Sequence, residues 1–538
     1  MTSKILFKNM YQMESKRNRW ILIVGTLAMI FCLPFQFLQK IKEFEEIYGM
    51  QFRKITKELL YEQTDILNSL TYRNSIMFIV IMGLALINGI FLYRYLSTRK
   101  QLDFYFSQPM KRASLFWCSY LQGIVNMAVP LAISYILVLL MAGANGCLSG
   151  KFVLIIIQVY VTAMVYYAIV FTTAALASIL TGNSLFSILG FGVLCGYFPI
   201  INGIYFMEYY MVDNAVSEAI SYVSYLSPVA VFFELMAKWD NRLYDFTDSG
   251  LHYLSFHWGL SAYVIVLFTV LLVSARVLYV KRSAESAGKC VAFQKAKGII
   301  KGFLIVAFSL ACSVMLAEFF LSKSLSYKIV GFVVGLFVGL YILDAMLELR
   351  WKAFFKNPKR QIKYIVIATA VFASFLLYGE SIRYKGFDEY GKNYTKEAAE
   401  QDGVVVLENC EIVANKDVLL QFIQNTADGV EGNITLMEYY ERESYFTNVE
   451  YKKGIYKIRK SYNEYDTGEQ YKYLVYLKGL DKYSDVEREF VVATDLDDLT
   501  FEDMRYRYYP TEEEWNSTEE NRRDIGSFNV IYEGTVTE

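Results

Sequence analysis

Residues 75–117 read SIMFIVIMGLALINGIFLYRYLSTRKQLDFYFSQPMKRASLFW. The apolar run from Ser75 to Tyr95 is long enough to cross a bilayer, whose hydrocarbon core takes about 20 residues of helix. A polar segment, Ser97 to Arg112, follows it, and a second long apolar run begins at Leu115. The polar segment does not suit a bilayer and is too short to form a domain. We expect it to be a docking surface between two membrane spans.

The composition of the whole chain agrees with this interpretation. Of its 538 residues, 55% are hydrophobic, and the mean hydropathy is +0.27, which is more apolar than an ordinary soluble protein. The length criterion predicts nine membrane spans, the last of them short. They are Trp20–Leu38, Ser75–Tyr95, Leu115–Met141, Phe152–Leu180, Leu185–Phe206, Trp258–Val280, Ile299–Leu321, Ile329–Leu349 and Tyr364–Leu377.

The distribution of charge predicts the orientation of the chain. Lys and Arg are concentrated in the N-terminal tail and in the connections 94–112, 281–301 and 350–363, which all fall on one side if nine spans alternate. Basic connections face the cytoplasm, so we expect a cytoplasmic N-terminus. From Glu380 onward there are 35 acidic and 19 basic residues, a charge of −16 against +15 for the remainder. This acidic part is expected outside the cell membrane.

Two outer connections contain helical patterns. Residues 39–74 mix apolar and charged residues as an amphipathic surface helix does. Residues 208–257 are apolar enough to dip into the membrane but are interrupted by Pro228, which predicts two interfacial or re-entrant helices.

An α+β fold is predicted for the acidic region 379–538. Asn415 is a possible N-cap of a helix that places Val418, Leu419, Phe422 and Ile423 on one face, with Gly429 as its stop. Strand-like runs, rich in β-branched and aromatic residues, are GVVVLEN, GIYKIRKSY, YKYLVYLKG, REFVVAT and SFNVIYEGTV.

No catalytic or metal-binding pattern is present in the sequence. The two histidines, His252 and His257, are five residues apart, so a helix would not place them on one face. The stretch SAESAGK lacks the first glycine of a phosphate-binding loop, and the seven cysteines have no metal-ligand spacing. We therefore expect a chain that is not itself an enzyme.

The polar segment carries a family resemblance. Its pattern R-K-x-x-D-x-Y-x-S-x-P-x-K-R-x-x-L-F resembles the segment between the first two core helices of ABC-2 type permeases, which includes the coupling helix that rests on a separate ATPase subunit. YLSPVAVFFEL and LYVKRSAESAGK resemble the outer re-entrant region and the basic exit of the sixth helix. The candidate coupling residues are Arg99, Lys100, Asp103, Phe104, Tyr105, Phe106, Ser107, Pro109, Lys111 and Arg112.

The resemblance covers residues 1–293 and implies an ABC-2 type six-helix transmembrane domain there. Residues 294–378 add three spans, and 379–538 form the outer domain. The resemblance implies that the chain is a permease subunit of an exporter. This subunit would work as a homodimer or a heterodimer in the cell membrane. Cytoplasmic ABC ATPase subunits would bind ATP and Mg, while this chain would bind no cofactor, contact membrane lipid and bind no nucleic acid.

Other interpretations remain open. The polar segment could be an interfacial helix whose basic ends touch anionic lipid. The chain could also be a membrane sensor whose outer domain binds a peptide or an envelope ligand. A tyrosine-rich stretch, residues 439–476, suits such binding, although strand propensity explains it almost as well. An ion-coupled transporter ranks third, because few ionisable residues fall at mid-membrane.

Polar residues within the spans are the remaining candidates. They could line a path between protomers or hydrogen-bond neighbouring helices; they are Asn88, Asn126, Gln158, Thr172, Thr173 and Asn202. Arg276 and Asp344 lie at comparable depth in the sixth and eighth spans, and we consider an ion pair between them.

Overall fold

The structure is a computed structural model of the chain. It describes residues 3–48, 75–145, 148, 150–209, 225–231, 258–320, 324–356, 358–390, 394–409, 411–440, 444–461, 468–482, 486–510 and 525–536. The described residues form two compact units. The first comprises those up to Met207 and those from 225 to Phe372, and the second comprises Glu208, Tyr209 and those from Ala373 onward.

Helices dominate the first unit. In chain order they are α1 (Ser3–Arg17), α2 (Arg19–Ile30), α3 (Gln36–Tyr48), α4 (Ser75–Leu92), α5 (Arg99–Phe106), α6 (Arg112–Ala144), α7 (Gly150–Leu180), α8 (Ser184–Tyr209), α9 (Trp258–Lys281), α10 (Lys297–Phe319), α11 (Leu325–Glu348), α12 (Ala353–Lys356) and α13 (Ile362–Ile382). Both α8 and α13 end in the second unit.

Eight helical stretches in the described residues are long and apolar enough to cross a membrane, and Ile76–Leu92 is a shorter apolar helix. The chain therefore has the architecture of a multi-pass helical membrane protein, as the sequence predicts. The predicted second span is three residues too long, since α4 ends at Leu92. The predicted ninth span is too short, because α13 reaches Ile382. The helix continues for more than one turn beyond Leu377, through the mixed polar and apolar residues Tyr378 to Ile382.

The first span is a bent helix. Pro34 lies within a π-helical turn, Phe31–Phe35, that joins α2 to α3. Proline has no N–H to donate and its ring crowds the preceding turn, so a widened turn accommodates it. Helix α3 covers the start of the predicted amphipathic segment, and residues 49–74 lie outside the described residues. Of the predicted re-entrant helices, only residues 225–231 are described, and they form a turn around Pro228.

The three helices after residue 293 pack through a stripe of small residues. Gly331, Gly335 and Gly339 on α11 face α10 so closely that a Cβ on Gly331 would lie 2.5 Å from the Cys312 carbonyl oxygen. Membrane helices associate through such stripes because lipid offers no hydrophobic driving force between them. On the other side of α11, Phe332 stacks on Phe372 of α13 with ring centroids 4.1 Å apart.

The second unit contains two sheets. Within its described residues the strands are β1 (Val405–Glu408), β2 (Glu411–Ala414), β3 (Gly432–Tyr439), β4 (Ser444–Lys452), β5 (Ile455–Lys460), β6 (Glu469–Tyr471), β7 (Tyr473–Asp481), β8 (Val486–Thr494) and β9 (Phe528–Thr535). One sheet has the order β2-β1-β3-β4-β5-β6 and the other β7-β8-β9. All described pairs are antiparallel except β1 with β3. The helices are α14 (Lys396–Gln401), α15 (Lys416–Ala427) and α16 (Phe501–Tyr508).

The predicted helix of this unit is confirmed as α15. It buries Leu419 and Phe422 against the sheets and is followed by Gly429 at a φ of +82°. Asn415 occupies the N-cap position but does not cap with its side chain; its amide donates instead to the carbonyls of Glu400 and Val404. The five predicted runs correspond to β1, β5, β7, β8 and β9, with β6 at the start of the third. Strands β2, β3 and β4 were not predicted.

Candidate functional site

The polar segment after α4 forms a short helix with one anchored face. A 3₁₀ turn, Arg94–Ser97, leads into α5, and α6 begins at Arg112. Leu102 and Tyr105 are buried on the inner face of α5. The ring of Tyr105 stacks on Tyr95 with centroids 4.1 Å apart. The spacing of three residues between Leu102 and Tyr105 places both on the same side of a helix.

A buried polar triad fastens α5 to the N-terminal helix. The Tyr105 hydroxyl donates to the Glu14 carboxylate at 2.7 Å and accepts from the Arg17 guanidinium. Arg17 also pairs with Glu14 at 3.0 Å. Glu14 is only 1% exposed, and burial raises the pKa of its carboxyl despite the opposing effect of Arg17 and the hydrogen bonds. The hydrogen bond from Tyr105 therefore stabilises the charged form of this buried carboxyl, and it holds α5 against α1.

The other face of α5 is open. Most of the candidate coupling residues are exposed on α5 or in the turn that follows it; they are Arg99, Lys100, Asp103, Phe104, Ser107, Pro109 and Lys111. Phe104 keeps 53% of its surface exposed, and both the Ser107 and Gln108 side chains donate to its carbonyl. An exposed aromatic ring surrounded by charges on a fixed helix is a suitable anchor for a partner protein.

The remaining candidates connect α5 to the rest of the unit. Phe106 is half-buried, and the Arg112 guanidinium lies over its ring, 4.2 Å from the centroid. Arg112 also donates to the carbonyls of Val280 and Arg282 at the end of α9. The ten sequence-predicted coupling residues thus divide into an exposed set and three that fix the helix: Tyr105, Phe106 and Arg112.

Arg282 is the centre of a buried junction that the sequence did not reveal. Its side chain donates to the carbonyls of Leu96, Ser178 and Ile179 and to the Ser286 hydroxyl. It is 1% exposed, and burial lowers the pKa of its guanidinium to about 10, so it remains charged at neutral pH. One cation thereby joins the ends of α4, α7 and α9.

The loop after α9 folds onto the turn between α7 and α8. Gly182 donates to the Lys289 carbonyl at 3.0 Å and accepts from Gly288 at 2.7 Å. A Cβ at Gly182 would lie 2.2 Å from the Ser286 carbonyl oxygen, so only glycine fits without displacing the loop. We refer to residues 94–97, 178–182 and 282–292 together as the junction.

The polar residues of the spans mostly contact one another or their own helices. Asn126 donates to Asn88 at 2.8 Å and accepts from Gln122 at 2.8 Å. Asn88 in turn donates to the Leu84 carbonyl. These amides are buried, which matches the packing interpretation, and Gln122 belongs to the same chain of hydrogen bonds although the sequence did not single it out.

The hydroxyl candidates behave similarly. Thr172 and Thr173 are buried and donate to carbonyls one turn earlier. Thr172 also shares a hydrogen bond with Tyr120 at 2.8 Å. Gln158 and Asn202 are partly exposed. Among these six residues, only these last two are open to the surroundings of the helices.

Asp344 has different partners from the one proposed. It accepts from the Lys301 ammonium and from the Gln361 amide, at 2.6 Å and 2.5 Å, while Arg276 is exposed on α9. Lys301 lies one turn inside α10, and its ammonium is 2.6 Å from the Asp344 carboxylate. The Arg276–Asp344 hypothesis is therefore corrected to a Lys301–Asp344–Gln361 triad, which ties α10, α11 and α13 together.

The tyrosines of the second unit do not share one surface. Within the described part of residues 439–476, some are exposed and others buried, and several bond to carboxylates. One buried carboxylate, Glu489, accepts from Lys416, Tyr476 and Tyr532. Burial would raise the pKa of Glu489, but these three donors outweigh it and hold the pKa below its usual value. The site fixes α15 to the β7-β8-β9 sheet.

The side chains that hold metal ions in proteins are mainly His, Cys, Asp and Glu. Within the described residues, no group of three or more His, Cys, Asp or Glu side chains could hold a metal ion. Both histidines lie outside the described residues. No family model, curated protein or solved structure matches the chain.

Proposed function

We propose that this chain is the membrane subunit of an ATP-driven transporter of the ABC-2 type, and that α5 is the surface on which a cytoplasmic ATPase rests. The observation that supports this most is the two-faced character of α5. Its buried face is fastened by Tyr105, and its open face presents Phe104 among charged residues. A helix that only lay on lipid would not need a buried carboxylate to fasten its inner face, as Glu14 fastens α5 through Tyr105.

The contacts around α5 supply a route for mechanical coupling. A push on α5 reaches α1 through Tyr105 and Glu14, and reaches α9 through Arg112. The junction around Arg282 then links that movement to the ends of α4 and α7. ATP binding on the partner would bias these helices between two arrangements, as in other two-state transport machines.

The proposal includes orientation and direction. The basic connections, with α5 among them, would face the cytoplasm, and the second unit would lie outside the cell membrane. The chain would form a homodimer or a heterodimer with a related permease and work as an exporter. ATP and Mg would bind to the ATPase partner. This chain would supply the path and the coupling surface without catalysing hydrolysis.

Co-purification tests the proposal. The tagged protein, isolated gently from its native membrane, is expected to bring an ATPase subunit with it, and Asp103→Ala/Phe104→Ala is expected to lose that subunit. Phe355→Ala is the matched control, because Phe355 is an aromatic residue with 71% exposure in another connection. If the ATPase is absent, or if it stays with the α5 variant as well as with the control, the coupling assignment is wrong and a sensor becomes the better interpretation.

A further inference from the structure

An apolar groove runs between α8, α10 and α13 in the first unit. Its volume is about 720 Å³, within the range of small-molecule sites. Aromatic and aliphatic side chains form most of its walls, including Tyr197, Phe198, Phe303 and Ile367. All three helices are of membrane length, so the groove opens where lipid chains would surround the protein.

The two ends of the groove differ in charge. Lys295, just before α10, and Lys363, at the start of α13, line one end and are exposed. The wall then continues along α10 as far as Leu310, where it is apolar. From Gly298 to Leu310 the helix rises about 18 Å at 1.5 Å per residue. That is close to the thickness of one leaflet's hydrocarbon, about 15 Å. The groove therefore has the length of an acyl chain and the charge pattern of an anionic headgroup site.

The floor of the groove is kept open at its charged end. Gly298 and Gly302 are one turn apart on α10 and present no side chain to it. A Cβ at Gly302 would still lie 3.9 Å from the Tyr364 ring. Tyr364 is 2% exposed, and its hydroxyl lies next to Gly298, 3.2 Å from where a Cβ on that glycine would be. The Lys363 ammonium lies over the Tyr364 ring, 4.7 Å from its centroid, so a lysine and a phenol hydroxyl are close together at this end of the groove.

We propose that this groove binds an anionic phospholipid, with one acyl chain along α10 and the phosphate at Lys295, Lys363 and Tyr364. The lipid belongs to the leaflet that contacts the N-terminal ends of α10 and α13. Basic pockets between membrane helices select such headgroups because each lysine near the surface adds an electrostatic attraction. The site is separate from α5 and does not depend on the transporter proposal.

Native mass spectrometry of the detergent-purified full chain tests the site with two probes, palmitoyl-oleoyl phosphatidylglycerol and the zwitterionic phosphatidylcholine of the same chains. The wild-type chain is expected to retain the anionic lipid preferentially. Lys295→Ala/Lys363→Ala should weaken its binding about 30-fold, the factor for two lysines near a membrane surface. The control Lys281→Ala/Lys289→Ala removes two exposed cations of the same unit and should leave binding unchanged.

A second variant tests the apolar wall. Gly302→Leu fills the groove from α10, where a Cβ would make ordinary van der Waals contact with the Tyr364 ring at 3.9 Å, and should reduce retention of the anionic lipid while the melting temperature is maintained. Ile367→Trp obstructs the groove from α13 if the first variant does not fold. Equal retention of both lipids by the wild type would overturn the proposal. So would an equal loss in the two lysine double variants, or unchanged binding after the groove is filled.

Discussion

Removing the charge of Asp344 should destabilise the first unit strongly. The Lys301 and Asp344 side chains are only 5% and 13% exposed and lie 2.6 Å apart. Asp344→Asn leaves the buried ammonium without its carboxylate, although Gln361 still accepts from it. Breaking one partner of a buried ion pair costs about 3–5 kcal/mol, because the remaining charge stays desolvated. We expect a loss of this size in the free energy of unfolding.

The same helices provide a matched control. Lys297 and Glu348 also join α10 to α11, at 2.9 Å, but the Glu348 side chain is 44% exposed. Solvent screens such a pair, so Glu348→Gln should cost about 0–1 kcal/mol. The double variant Lys301→Met/Asp344→Leu removes both buried charges and should recover much of the stability lost by Asp344→Asn.

Equilibrium unfolding in mixed micelles with increasing SDS measures these free energies. The reasoning is refuted if Asp344→Asn costs no more than Glu348→Gln. It is also refuted if the double variant loses as much stability as the single variants Lys301→Met and Asp344→Leu added together, since the charges would then not be coupled.

Three further predictions concern other contacts. Gly182→Ala should lower the stability of the fold by about 1–3 kcal/mol, because it forces the loop after α9 away. The control Gly192→Ala should not destabilise the fold, because a Cβ at Gly192 meets nothing within 4 Å. Thermal unfolding in detergent compares the stability of the two variants. Tyr105→Phe should lower stability by about 1–3 kcal/mol in the same assay, because Glu14 loses a donor while buried; no change would contradict the triad. Glu489 has a lowered pKa in the folded state, so its contribution is complete above the unfolded pKa of about 4.3 and is lost as the pH falls through the folded pKa. The protection factors of β8 amides, which correct for the slower intrinsic exchange in acid, should therefore fall on acidification in the wild type, and less steeply so in Glu489→Gln.

Much of the membrane architecture could be predicted from the sequence, because hydropathy and length alone mark a membrane helix. The run from Phe152 to Leu180 has no charged residue and forms one helix over its whole length. The end of the ninth span could not be placed this way. Tyr378 to Ile382 mix polar and apolar residues, yet the helix continues through them.

The side-chain contacts could not be predicted, because they depend on how helices distant in sequence meet. Tyr105 and Phe104 are neighbours in one motif, but only the first faces Glu14, which is 91 residues away. Asp344 was expected to pair with Arg276 because both lie at a comparable depth. Lys301 was assigned to a basic connection, whereas it lies one turn inside α10 and meets Asp344 there. A depth estimate cannot distinguish between two cations on different helices.

Prediction of the strands was limited in the same way, by contacts between segments that are distant in sequence. Strand β8 contains six successive buried residues and is readily recognised from REFVVAT. In strand β3, buried and exposed residues alternate less regularly, and the strand contains the polar residues Asn433 and Glu438. It is stabilised by pairing with β4 along its full length and with β1, which is information that a single run of sequence does not contain.

The most direct test of the central claim is photo-crosslinking from the open face of α5. A photoreactive amino acid is placed at position 104 in the full chain and, as the control, at position 355, and both proteins are irradiated in their native membrane. The account predicts that position 104 crosslinks to an ATPase subunit in a nucleotide-dependent yield and that position 355 does not. Crosslinks from position 104 to lipid alone, or to the same proteins as from position 355, would contradict the assignment of α5 as the coupling surface.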